Sequence, residues 1–293
     1  MGLKSFRSYA LAAILLPFLQ VVQCAVHPGL LHTESDFTRI KSYVSAKKEP
    51  WYTGWTKLTA HASATYTPSP AATVYRGTGT PENYASLYRD AASAYANAIY
   101  WKVTGDTSHA AAAAKTLDAW SSTLKVIDGT SDKYLASGIY GYQLANAGEI
   151  LRGYSSWTGL SSLVNMLNAV FYPMNHAFIT AHNGAAIDHY WANWDLANLC
   201  TMHAIGVISD NSTMINEAIT YFKTGAGNGA IQKAIWKLYT ESGTGKSLGQ
   251  GQEAGRDQGH AMLDFALLGT LAQQSYNQGN DLFGYLSNRI LAG

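Results

Sequence analysis

The chain carries unusually little charge. Only 13% of its 293 residues are Asp, Glu, Lys or Arg, about half of the roughly 25% that is usual in soluble domains. The formal net charge is +1, and the sequence has no basic run. Because binding to nucleic acid requires a clustered cationic surface, the composition argues against a nucleic-acid partner.

Cysteine is nearly absent as well. The two cysteines are Cys24 and Cys200, and Cys24 ends a leader-like segment. Residues 1–25 combine basic residues, an apolar stretch and then small residues, which is the pattern of a secretory signal peptide. The apolar stretch is too short and too early for a membrane span, so we expect a secreted, extracellular protein. Cleavage near Ala25 removes Cys24 and leaves Cys200, in an apolar helical pattern, as a core residue without an intrachain disulfide.

Strand-like alternation is the third feature that the sequence lacks. Most long segments instead have helical periodicity, and Gly, Pro, Asn, Asp and Ser mark the breaks between them. Besides the helical stretches that begin near residues 82 and 107, we expect helices near 34–47, 132–152, 184–208, 212–225, 229–239, 251–274 and 280–290.

No linker interrupts residues 26–293, so the sequence predicts one all-α domain. Many of its helices have a broad apolar face, which favours two packed helical layers. Successive helical hairpins arranged in a ring, an (α/α) toroid, meet that demand. An ordinary helical bundle is the alternative.

The few charges concentrate in the stretch GQGQEAGRDQGH, directly before an apolar run. If a helix begins with this stretch, Gln252, Arg256 and His260 share one stripe at its polar end. Glu253 and Asp257 then form a neighbouring pair that could hold Arg256. The alternative is an ion-pair network that only fixes the start of the helix.

Polar residues precede apolar ones on two other predicted helices. His189 and Asn193 do so on one helix, and Gln143 and Asn146 on the other. Helix N-termini favour anions, and in a layered helical domain such ends converge on one cleft. A cleft of Arg, His, Asn, Gln and Tyr suits a carboxylated sugar, and the many Tyr and Trp rings suit sugar faces.

Several stretches of the chain also resemble a known family, the alginate lyase family of α/α-toroid polysaccharide lyases. The similarity is to secreted fungal members and to the related glucuronan lyases. It implies a toroid that cleaves an acidic polysaccharide by β-elimination at a uronic acid. It covers His27 to about residue 266, in the stretches HPGLLHTESDFTRI, YWKVTGD, GIYGYQLANAGEI, NWDLANLCTMHAIGV and, most specifically, GQEAGRDQGH.

The implied reaction needs a neutraliser for the C6 carboxylate, a base for the C5 proton and an acid for the departing O4. By resemblance, Asn193 and Arg256 neutralise the carboxylate, with His189 beside them, and His260 is a candidate base. Tyr142 and Tyr190 lie in the matching motifs as candidate base and acid, and Tyr140 is a further candidate.

The remaining residues of the implied site bind the substrate or orient the reacting groups. The expected substrate-binding residues are Tyr140, Gln143, Asn146, Trp191 and Gln252, and Glu253 and Asp257 are expected to orient the reacting groups. The chain departs from the better-known alginate lyases, in which paired Asn and His directly precede a Tyr-Trp. Here Asp188 and His189 precede that pair.

Two other classes of protein compete with this interpretation. A glycoside hydrolase needs two carboxylates roughly 5–10 Å apart across a sugar. Glu253 or Asp257 could supply them together with Asp188 or Asp195. The third class is a non-catalytic protein that binds glycans.

Other motifs are weaker. The sequence has no HExxH motif and no compact Cys/His cluster, so we assign no metal ligands and expect no cofactor. The absence of these motifs argues against zinc and leaves a calcium site open. ESGTGKS resembles a phosphate loop, but Thr240 replaces the required first Gly, and we expect the stretch to follow a helix. His203 is interpreted as a core histidine, and the sequon NST predicts a glycan on Asn211. We expect a monomer.

Overall fold

A computed structural model describes residues 25–79 and 81–293. Apart from Ala25, the expected signal peptide, with Cys24, lies outside these residues. The described chain is mostly helical, as the periodicity predicts. Its helices are α1 (Glu34–Ser45), α2 (Trp51–Thr59), α3 (Tyr84–Thr104), α4 (Thr107–Thr123), α5 (Lys133–Leu151), α6 (Leu160–Met166), α7 (Tyr172–Ala181), α8 (Ala192–Ile208), α9 (Ser212–Thr224), α10 (Ile231–Ala234), α11 (Gln258–Asn277) and α12 (Tyr285–Ala292).

The strands are short and form two separate pairs. They are β1 (Thr73–Arg76), β2 (Val126–Gly129), β3 (Ile235–Thr240) and β4 (Ser247–Gly251). β1 pairs with β2 in parallel, and β3 pairs with β4 in antiparallel. Within the described ranges, no helix is long and apolar enough to cross a membrane.

The parallel strand pair fixes where two long helices begin. β1 precedes α3 and β2 precedes α5, with Arg76 opposite Gly129. Asn83 at the start of α3 also bonds back to the strand, since its Oδ1 accepts from the Tyr75 amide at 2.8 Å. The first turns of α3 and α5 therefore lie side by side at one end of the molecule.

α5 and α8 run in the same direction. Gly138 lies so close to α8 that a Cβ on it would be 2.8 Å from Ala197. Ten residues further along, a Cβ on Gly148 would be 3.1 Å from Ile208. Because the residue numbers increase together along the two helices, their N-terminal ends lie at the same end of the layer.

α11 extends this parallel layer beyond α8. The side-chain amide of Asn193, at the start of α8, donates a hydrogen bond to the Glu253 carboxylate, just before α11. Further along, the Cys200 thiol donates to the Leu267 carbonyl at 3.3 Å. The inner layer thus consists of α3, α5, α8 and α11, and we call the end at which these helices begin the mouth.

The intervening helices form a second layer. α4 packs against α3 and α6, α7 packs against α5 and α8, and α9 packs against α8. Gly105, with a φ of 82°, ends α3 in the left-handed region and allows the chain to reverse into α4. Since α8 is covered by several neighbours, all of its residues from 195 to 208 are buried, and Cys200 and His203 are core residues as predicted.

The predicted helix over 229–239 is mostly wrong. Only Ile231–Ala234 is helical, and β3 follows it directly. Trp236 and Tyr239 favour a strand, and Gly243 and Gly245 take positive φ values in the turn to β4. ESGTGKS consequently follows a strand rather than a helix, and it is a hairpin turn that leads into another strand.

Three predicted helix starts are also wrong. α8 begins at Ala192 rather than at residue 184, α11 at Gln258 rather than at residue 251, and α12 at Tyr285 rather than at residue 280. Asp257 caps α11 by accepting the His260 amide at 2.9 Å. Several glycines before this cap disfavour a helix. The proposed helical stripe of Gln252, Arg256 and His260 therefore does not exist.

The sequon residue Asn211 starts α9. Its Oδ1 accepts from the amides of Thr213 at 3.1 Å and Met214 at 3.3 Å. The expected glycan site is thus a helix cap at the end of α8 remote from the mouth.

A histidine in the segment before α1, His27, binds two carboxylates and so holds this segment against the helices. His27 Nδ1 bonds to Glu149, and its Nε2 lies 3.0 Å from Asp210 Oδ1. Arg152 also binds Glu149, at 3.2 Å. The hydrogen bond to Glu149 raises the pKa of His27 above its usual value, although burial and Arg152 oppose the shift.

We expect His27→Ala to destabilise the protein by about 1.5–3 kcal/mol at pH 5, the range for a hydrogen bond to a charged group. A raised histidine pKa stabilises the fold fully below the unfolded pKa, near 6.5, and this contribution is lost as the pH rises through the folded pKa. Thermal melts of the variant and the wild type should converge towards pH 9. His61→Ala, at an exposed position, is the control, and an equal effect of both substitutions at every pH would contradict the assignment.

Candidate functional site

A groove opens between α3, α5 and α11. The small side chains of Ala92 and Ala96 in its lining leave room. Towards its inner end lies a cavity of about 280 Å³ lined by Leu31, Leu58, His61, Ala92, Tyr95, Ala96, Tyr142, Gln143 and Thr270. Two predicted site residues, Tyr142 and Gln143, therefore lie together in this groove.

Tyr142 is suited to giving a proton rather than taking one. Burial raises the pKa of its phenol to about 12. At neutral pH the hydroxyl is therefore protonated. Of the two roles that the sequence left open for Tyr142, this environment favours the acid.

A buried carboxylate organises the mouth between α8 and α11. Glu253 is 0% exposed. One of its carboxylate oxygens accepts from the side-chain amide of Asn193, and the other accepts from Arg256 Nη1 at 2.8 Å. The Arg256 guanidinium carbon lies 5.4 Å from the ring centroid of Trp191. Arg256 keeps 35% of its side chain exposed, whereas Asn193 is only 1% exposed. Of the two predicted neutralisers, Arg256 is therefore the one that faces solvent.

The segment before α11 is tied to the start of α8 by Gln252. Its Oε1 accepts from the Ala192 amide at 2.6 Å. It also lines a shallow polar cavity of about 480 Å³. Trp236 of the β3–β4 hairpin lines the same cavity, and its indole ring, like that of Trp191, is exposed.

Asp257 and His260 form a second pair at the mouth. Asp257 Oδ2 lies 2.5 Å from His260 Nδ1. The hydrogen bonds from the backbone and the side chain of His260 lower the pKa of the Asp257 carboxyl. Asp257 thus orients His260, while Glu253 alone holds Arg256 among the described carboxylates. With its Nδ1 proton held by a carboxylate, a neutral imidazole presents the lone pair of Nε2, which suits a base.

His189 and Tyr190 lie in the turn before α8. The exposed His189 ring meets the Tyr190 ring edge-on at a centroid distance of 4.8 Å. The Tyr190 hydroxyl accepts from Asn183 Nδ2 at 3.2 Å, and its ring packs on Phe178 of α7. Both residues are near the mouth, but Tyr190 is directed towards the second layer.

Two predicted substrate-binding residues have other partners. Asn146 is buried, and its amide bonds to the backbone of Leu31 at 3.0 Å and of Tyr142 at 2.8 Å. Its side chain thereby fixes the N-terminal segment. Tyr140 is also buried, and its hydroxyl accepts from Arg76 Nη1 at 3.3 Å.

Two of the four carboxylates that the sequence offers a hydrolase, Asp195 and Glu253, are engaged inside the protein, whereas Asp188 and Asp257 are exposed. Asp195 is buried and accepts from His182 at 2.9 Å and from the Gly229 amide at 2.8 Å. Glu253 is fully buried, as described above. Neither carboxylate is accessible to a sugar in the groove.

Sequence reasoning missed Asp264, the one acidic residue in the apolar run of α11. Its carboxyl group is buried, and neither oxygen has a hydrogen-bond donor among the described residues. Burial, together with the neighbouring Glu253 carboxylate, raises the pKa of Asp264 to about 7. A single acid inside an apolar helical run is the signal that could have identified it.

No known family model matches the sequence. No curated protein matches it either. The residues of the groove and its mouth are therefore the basis on which a function can be inferred.

Proposed function

We propose that the protein is a secreted lyase that cleaves a uronate-containing polysaccharide, of the alginate or glucuronan type, by β-elimination. The observation that carries the proposal is the Arg256 guanidinium, held by buried Glu253 over the exposed ring of Trp191. A planar cation suits a carboxylate, and an aromatic face suits a sugar ring. Together they suit an acidic sugar.

In this proposal Arg256 binds the C6 carboxylate and makes the C5 proton more acidic. His260 Nε2 removes that proton. The electron pair of the broken C5–H bond forms the C4=C5 double bond as the C4–O4 bond breaks. A tyrosine donates the proton to the departing O4, and the two candidates are Tyr190, in the turn before α8, and Tyr142, which lies beside Thr270. Asn193 acts through Glu253, which it helps to fix.

The proposal includes an (α/α) toroid. Two features support it: helices alternate between two layers along the chain, and the inner helices are parallel. In that architecture the groove is the concave substrate-binding surface, and the mouth is where the polymer enters.

Ultraviolet absorbance during digestion of polymannuronate, polyguluronate and polyglucuronate tests the proposal. We expect absorbance to rise with at least one polymer, because elimination creates a conjugated double bond. New reducing ends without absorbance would indicate a hydrolase, and binding without either product would indicate a glycan-binding protein. Heat-denatured protein is the control for contaminating activity.

A further inference from the structure

Arg76 is an arginine without a carboxylate partner at the mouth of the groove. Arg39, Arg152 and Arg256 each pair with an acidic side chain. Among the described residues, no acidic side chain forms a salt bridge with Arg76. Its one side-chain hydrogen bond in that part of the chain goes to the Tyr140 hydroxyl, at 3.3 Å.

Tyrosine rings hold the Arg76 guanidinium in place. Its central carbon lies 5.1 Å from the Tyr84 ring centroid and 5.8 Å from that of Tyr140. Stacking on rings fixes the plane of the guanidinium, which binds a carboxylate through two parallel hydrogen bonds. A partly buried cation with unused donors is stabilised by an anion that enters from solvent.

Arg76 also has the right position for a substrate contact. It ends β1, beside the first turns of α3 and α5, and Tyr88 on the groove face of α3 lies 5.9 Å from the Tyr140 ring. Arg76 thus lies on the α3–α5 side of the mouth, whereas Arg256 lies on the α8–α11 side. A polyuronate carries one carboxylate on every sugar, so a chain that crosses the mouth presents more than one.

We propose that Arg76, aligned by Tyr84 and Tyr140, binds the carboxylate of a second uronate residue of the chain whose reacting residue is bound at Arg256. This inference rests on the proposed substrate class, and it assigns Arg76 a role in binding and specificity. Nothing in the reaction itself requires a proton or a bond change at Arg76.

The test is the affinity for a size-defined oligouronate and for its carboxyl-reduced counterpart, measured by intrinsic tryptophan fluorescence directly after mixing. Arg76→Gln should weaken binding of the oligouronate about tenfold to a hundredfold, the loss of a hydrogen-bonded contact to a charged group. Binding of the carboxyl-reduced ligand should not change. The affinity of Arg76→Lys for the oligouronate should lie between those of Arg76→Gln and the wild type, because a lysine retains the charge without the planar guanidinium.

Arg89→Gln is the matched control. Arg89 is exposed and also stacks on a tyrosine, with its central carbon 5.6 Å from the Tyr88 ring centroid. An equal loss of affinity in Arg89→Gln would indicate a general charge effect and overturn the site. Equal losses for the charged and the reduced ligand would indicate a purely structural role and overturn it as well.

The binding assay also separates this inference from the proposed lyase activity. If Arg76→Gln binds the oligouronate like the wild type while absorbance still rises on a polyuronate, the second carboxylate site is wrong and the lyase proposal stands. If binding depends on Arg76 but no polymer gives an unsaturated product, the anion site stands and the lyase proposal fails.

Discussion

Arg256→Lys is expected to lower turnover of a cleavable polyuronate about a hundredfold, since losing one preorganised contact to a developing charge costs on the order of 3 kcal/mol. A compact ammonium cannot reproduce the planar fork that grips a carboxylate. The melting temperature should change little, because the guanidinium is partly exposed and a lysine can still pair with Glu253. His260→Ala should also lower turnover strongly, because it removes the candidate base.

Arg39→Lys is the matched control for Arg256→Lys. Arg39 pairs with Asp36 three residues away, as Arg256 does with Glu253, but it belongs to α1. Turnover and thermal stability should be measured on the same preparations. Near-normal turnover in both Arg256→Lys and His260→Ala would contradict the catalytic assignment. It would indicate that these residues only form an ion-pair network at the start of α11. A loss of turnover that only follows a loss of folded protein would also contradict catalysis by these residues.

Asp264→Asn is expected to stabilise the protein at pH 8 and to have little effect at pH 4. The pKa of this carboxyl is raised from 3.8 to about 7 in the folded state, so the folded state binds the proton more tightly than the unfolded one. Its contribution to stability is therefore full below about pH 4 and is lost as the pH rises through about 7. Above that range an ionised Asp264 lies against the Glu253 carboxylate, and the Arg256 charge offsets this only in part.

An asparagine keeps the shape of the protonated acid and supplies an amide donor towards Glu253. The expected gain at pH 8 is on the order of 3 kcal/mol, since one pKa unit corresponds to about 1.4 kcal/mol. Thermal melts between pH 4 and pH 8 measure it as a flatter dependence of the melting temperature on pH.

Asp90→Asn is the control for this pH dependence. Asp90 is also buried, but it accepts from Tyr66 at 2.6 Å, from the Ser69 amide at 2.8 Å and from Trp120 at 2.7 Å. Its replacement should therefore destabilise the protein, since it disturbs satisfied hydrogen bonds. Parallel melting curves of Asp264→Asn and the wild type across this range would show that Asp264 does not titrate there.

Local patterns were sufficient to predict most long helices. Periodic apolar residues identified α3, α5 and α9, and Cys200 and His203 are buried as the pattern predicts. The hairpin of β3 and β4 was not predicted, because a short apolar run before it also fits a helix. Glycines before Asp257 and the Asp257 cap itself delay the start of α11, because glycine disfavours a helix and a cap residue precedes its first turn.

The candidate site was predicted in its residues more than in its geometry. Gln252, Glu253 and Arg256 do lie beside Trp191 and Asn193, but a loop brings them there rather than a helical stripe. Asp264 and Arg76 were missed for a different reason. Their importance depends on which buried or unpaired groups face them across the fold, and such long-range contacts leave no local pattern.

The direction of α8 separates two kinds of carbohydrate chemistry. The helix starts at the mouth and ends just before Asn211, so the two lie about 25 Å apart at 1.5 Å per residue over its 17 residues. A glycan on Asn211 would extend from the opposite end of the protein. It could thus shield that surface from proteases or from self-association without obstructing a long polymer that enters the groove.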